Sequence, residues 1–190
     1  EDEAYHRCPN IGCPAQVQER IAYFASKAGV DIDGLGPKLI GQLLEHDLIQ
    51  NVAALYNIKR EQLIELERMA EKSADNLIAA IEQSKKTDLP HRLVALGIAN
   101  VGEHVAGLLA TEFGSLGRIR VADAEELGAI EGIGPVVAQS IADFFANAEN
   151  ARVIKELESA WGEFPETEVS TGPQPLADKT FVLTGGLETF

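Results

Sequence analysis

The sequence predicts an all-α protein built on a repeated turn-and-helix unit. A short pattern recurs four times, at 32–38, 66–72, 98–104 and 130–136, in steps of 34, 32 and 32 residues. A near-constant step of this size marks a repeated supersecondary unit. Apolar residues between the copies fall at helical spacing. Aromatics make up only 6% of the chain against 45% hydrophobic residues, so small aliphatics carry the core, as in packed helices.

The elements follow in order. Val17, Ile21, Phe24 and Ala28 share one face and predict a helix over 15–28, ended by Gly29. Pro37 opens the next, at a favoured first-turn position, with Leu39, Ile40, Leu43 and Leu44 inward. Short helices are expected over 52–56 and 60–66. A longer one over 71–85 has Ala74, Leu77, Ile78 and Ile81 as its face. Helices over 89–96 and 103–113 flank the third copy, and 124–130 and 135–146 flank the fourth. A last helix is expected over 151–161.

Composition changes after Gly162. The proline-rich, polar stretch 163–176 reads as a linker. Residues 179–184 form a strand candidate, and one strand cannot bury its faces. The chain is therefore expected to be part of a longer protein, stopping just inside a further domain.

Each copy reads apolar, any, glycine-like, apolar, glycine-like, and then a helix begins. The second apolar residue (Leu35, Met69, Val101, Ile133) pins a tight turn to the core. Gly34, Gly36, Gly102, Gly132 and Gly134 permit left-handed backbone or close approach, and Asn100 tolerates left-handed geometry. The helix that follows offers unpaired N–H groups and the positive end of its dipole, a site for a phosphate. Lys38, Lys72 and His104 stand near that end, where the fourth copy has Val136. Four such ends in one array point to a ligand of repeating phosphates, a nucleic acid backbone. The second copy has Arg68 and Ala70 at the glycine positions. Its turn is expected to differ from the others and to contribute less to binding.

The net charge of −14 opposes general attraction to nucleic acid, which favours a basic stripe. Contact must then be local, weak in isolation and salt-sensitive. Cys8 and Cys13 are the only cysteines and suggest no disulfide framework. With His6 they leave a tetrahedral zinc shell incomplete, so two free thiols and half of a zinc site both stand. No phosphate-binding loop, nucleophilic triad or His-Glu-x-x-His occurs. No apolar run approaches the roughly 20 residues of a membrane span, and the acidic start is no signal peptide. A cytoplasmic setting is expected, with no membrane contact.

These residues resemble the bacterial NAD-dependent DNA ligase family over nearly the whole chain. Arg7-Cys8-Pro9-Asn10 and Cys13-Pro14-Ala15-Gln16 resemble the second half of its four-cysteine zinc finger, over 1–14. Asp31-Ile32-Asp33-Gly34-Leu35-Gly36-Pro37-Lys38 resembles its first helix-hairpin-helix motif, and Leu66-Glu67-Arg68-Met69 followed by Glu71-Lys72-Ser73-Ala74, and Ala95-Leu96-Gly97-Ile98 followed by Val101-Gly102-Glu103, are similarly distinctive of the family. Lys179-Thr180-Phe181-Val182-Leu183-Thr184-Gly185 resembles the first strand of its BRCT domain. The resemblance implies a zinc-finger remnant over 1–14, four tandem helix-hairpin-helix motifs over 15–162, a linker over 163–176 and the start of a BRCT domain over 177–190. It implies a parent enzyme that seals nicks in duplex DNA during replication and repair. There NAD adenylates a lysine upstream, AMP passes to the 5′-phosphate, and the 3′-hydroxyl attacks. NAD and magnesium would be bound outside this chain, which alone should be inactive and monomeric. Cys8 and Cys13 would supply two of four zinc ligands. Gly34, Gly36, Lys38, Lys72, Asn100, Gly102, His104, Gly132 and Gly134 would hold the DNA backbone without sequence preference. Two departures stand out: Ala99 where the family often has arginine, and Ala70 where it often has glycine. Two other readings remain: a non-catalytic helix-hairpin-helix module of another repair or recombination protein, and an acidic protein-interaction scaffold.

Overall fold

The computed structural model describes residues 16–162. Cys8, Cys13 and His6, the 163–176 linker and the 179–184 strand candidate lie outside them. Among the described residues there is no strand. The helices are α1 (Val17–Phe24), α2 (Pro37–Glu45), α3 (Arg60–Ile64), α4 (Glu71–Ser84) and α5 (Leu89–Ala95). They continue as α6 (Glu103–Phe113), α7 (Leu116–Val121), α8 (Ala124–Gly128), α9 (Pro135–Ala146) and α10 (Ala148–Trp161), with a 3-10 helix over Ala53–Asn57. No helix among them is long and apolar enough to cross a membrane.

Local chemistry sets the helix ends. The Asp88 carboxylate accepts from the His91 N–H at 3.0 Å and caps α5. Ser115 caps α7 through the Arg118 N–H. Asp123 accepts from the Glu125 and Glu126 N–H groups at 2.9 Å, while Glu126 reaches back to the Asp123 N–H, a reciprocal cap on α8. Asn147 caps α10 through Glu149 and Asn150. That cap starts α10 three residues earlier than the apolar spacing alone predicts. Helix α7 is not expected from the sequence: Gly117 and two β-branched residues weaken it. It forms because Gly114, at φ +69°, ends α6 and Ser115 at once starts the next helix.

Helices pack in successive pairs, α1 with α2, α3 with α4, α5 with α6 and α8 with α9. One apolar core runs through all of them and includes Ile21, Ile40, Leu63, Leu93, Leu109 and Ile141. Each pair is joined by one of the repeated sequence patterns. Burial of the pairs therefore fixes where four turns stand. An aromatic cluster closes the array: Phe24 of α1 stacks on Trp161 of α10 at 6.2 Å, and Tyr56 meets both edge-on.

A candidate nucleic-acid interface

The four repeats form the same turn. The Leu35 N–H donates to the Ile32 carbonyl at 3.4 Å, Met69 to Leu66 at 3.2 Å, Val101 to Ile98 at 3.1 Å and Ile133 to Ile130 at 3.0 Å. The third residue of each turn is left-handed: Gly34 at φ +84°, Arg68 at +61°, Asn100 at +63° and Gly132 at +92°. The second residues are not, so this is the φ signature of a type II turn. The expectation that the second turn differs is overturned. Leu66 is 5% exposed and Met69 packs on the core. Those two anchors force Arg68 into a conformation that its side chain disfavours.

The residue after each turn is an extended N-cap: Gly36, Ala70, Gly102 and Gly134. Its carbonyl accepts the first helical hydrogen bond, from Ile40, Ala74, Ala106 and Ala138 respectively, at 2.9–3.0 Å. No side chain caps α2, α4, α6 or α9, whereas α5, α7, α8 and α10 are all capped by side chains. First-turn N–H groups are thus left open at the four helices that follow the turns. An added Cβ at Gly36, Gly102 or Gly134 would meet no atom within 4 Å. Their φ values of −84°, −100° and −77° do not require glycine. What glycine provides at these positions is open space over the helix end.

The charges differ from turn to turn. Asp33, Glu67 and Glu131 hold the second position, where the third turn has Ala99, and all four are exposed. The Asp33 carboxylate accepts from the Gly34 N–H at 3.0 Å. Lys38, Lys72 and His104 are exposed beside their helix ends, and Val136 is 71% exposed. Glu71 opens α4, but Arg60 holds it at 3.2 Å while also bridging to Asp75 at 2.5 Å. That pairing lowers the Asp75 carboxyl below its ordinary range, the hydrogen bond from Arg60 being the main cause. The array therefore brings all nine sequence-predicted binding residues onto four equivalent turn-and-helix starts. Arg68, which sequence reasoning set aside, stands among them. The repeat step of 34 residues was the signal for it.

Two family matches divide the chain as the turns do. Residues 30–83 match a family described as a SAM-like helix-hairpin-helix tandem, and residues 92–154 match one described as a helix-hairpin-helix motif. The first match contains the first two turns and the second contains the last two. Along its whole length the chain is 46% identical to a protein named DNA ligase from Syntrophotalea carbinolica. It is 48% identical to DNA ligases from Alkalilimnicola ehrlichii, over 98% of the chain, and from Nitrosococcus oceani, over 100%. The chain spans 28% of the length of each of these relatives. The chain is thus similar along its length to one stretch of proteins named DNA ligase, and its two halves each match a helix-hairpin-helix family.

Proposed function

We propose that the chain is the DNA-binding part of an NAD-dependent DNA ligase that seals nicks in duplex DNA. One observation carries this reading: four equivalent helix starts lie open behind tight turns, in a chain that matches proteins named DNA ligase. Backbone N–H groups at a helix start favour an anion, and phosphate contacts position a protein without reading bases. All four repeats act as helix-hairpin-helix motifs over 15–162. The amides around Gly34, Gly36, Gly102, Gly132 and Gly134 seat the phosphates, with Asn100 holding the third turn. Lys38 and Lys72 add charge, and His104 adds a polar ring. The fourth turn, with Glu131 and Val136, has no lysine or arginine of its own and works through its backbone beside the His104 ring, whose Nε2 would stand 3.7 Å from a Cβ at Gly132.

The rest of the reaction belongs to the parent enzyme. NAD and magnesium are bound by its other parts, and the chain alone binds nicked duplex as a monomer in the bacterial cytoplasm without sealing it. Over 1–14, Cys8 and Cys13 supply two of the four thiolates of a zinc site. Zinc held there would act as a structural tie. A linker over 163–176 leads to a BRCT domain that begins at 177. A gel shift with nicked duplex at several salt concentrations tests the reading. Binding that weakens steadily with salt is expected; no shift at low salt would refute it.

A further inference from the structure

We infer that Arg68 is a phosphate-binding residue, and that the second turn grips the DNA backbone through this guanidinium. The inference rests on the DNA-binding reading above. Arg68 occupies the left-handed position held by Gly34, Asn100 and Gly132 in the other turns. A long side chain gains nothing structurally there, since glycine adopts this φ without strain. Its side chain is exposed at the turn and makes no hydrogen bond or ion pair among the described residues.

Among the described residues Arg118 shares that freedom, but it stands on α7 and at none of the four turns. Arg60, Arg120 and Arg152 are all engaged by carboxylates, and Arg92 is buried. Around the second turn the charges are arranged to leave a cation exposed. Glu71, at the start of α4, is held by Arg60. Lys72 is exposed one residue on. Arg60 thus pairs with Glu71 at the helix start, while Arg68 and the neighbouring Glu67 both stay exposed. Its planar fork suits a phosphate oxygen pair. The second turn has Ala70 rather than glycine at the helix start, and the guanidinium supplies the contact that closer backbone approach provides elsewhere.

Arg68→Gly separates this role from a structural one. In the 190-residue chain it should leave the melting temperature unchanged or higher, because glycine relieves the left-handed strain. Affinity for nicked duplex should fall about three- to tenfold, and the log-log salt dependence should lose about one counterion. Arg118→Ala is the matched control: it removes an equal charge from α7, from another exposed side chain without an ion pair. It should change binding little. Equal affinity and salt slope for Arg68→Gly and the unaltered chain would overturn the inference, as would equal losses from both variants. An unaltered chain that binds no duplex at low salt would overturn the DNA-binding reading itself, and this inference with it.

Discussion

The Arg92 guanidinium lies 4.7 Å from the centroid of the Trp161 ring, joining the helix that enters the third turn to the helix that closes the array. Burial pulls the Arg92 pKa below its ordinary value, and its guanidinium donates to the Lys85 carbonyl at 2.5 Å. Trp161 is 6% exposed and stacks on Phe24, which is fully buried. The indole therefore couples α1, α5 and α10, and through them the first and third turns.

Trp161→Ala should remove that coupling. Truncating a buried tryptophan costs about 3–5 kcal/mol. Urea unfolding followed by circular dichroism would check it, since Trp161 is the sole tryptophan and its fluorescence goes with it. At temperatures where the variant stays folded, duplex affinity should change far less than stability.

Asp88 gives a pH-dependent contribution at the start of α5. Burial pushes its carboxyl up, but hydrogen bonds from the His91 backbone and ring outweigh this and hold it below its ordinary value. A folded pKa below the unfolded one stabilises at pH above about 4, and the gain is lost as pH falls through the folded value. Asp88→Ala should cost about 1 kcal/mol near neutral pH. Comparing melting temperatures with the unaltered chain, the gap should close as pH falls through the lowered folded value.

Much of this was legible in the sequence, for identifiable reasons. Helices α6 and α9 begin and end where Gly102, Gly114 and Pro135 put them. The four turns were legible because each needs two apolar anchors packed on the core at fixed spacing. Helix α7 was not, because its residues are poor helix formers and only its cap and the burial of Leu116 and Ile119 hold it. The conformation of Arg68 was not legible either. Its identity argued for a different turn, and packing of Leu66 and Met69 overrode that preference. Openness of the four helix starts is a tertiary property: the sequence indicates glycine, not the empty space around it.

Ala99→Arg should strengthen binding. Ala99 is exposed at the second position of the third turn, where the other turns carry acids. Stability should stay within about 0.5 kcal/mol. Affinity for duplex should rise about three- to tenfold at low salt, with the salt slope steeper by about one ion. Fluorescence anisotropy with labelled nicked duplex would read both.

The central claim is that the backbone at the turns seats the phosphates, and glycine substitution tests it most directly. Gly34→Val and Gly132→Val are expected to weaken binding, but they also strain left-handed backbone by about 1–2 kcal/mol, and at Gly132 the new Cβ would stand 3.0 Å from Leu108. Gly102→Val with Gly134→Val avoids this: both positions are extended and open, so only the approach to the helix ends is blocked. The decisive measurement is duplex affinity of this double variant against the unaltered chain, at helix content matched by circular dichroism. The account predicts a loss of about tenfold or more with the fold intact. A folded double variant that binds nicked duplex as tightly as the unaltered chain would contradict it.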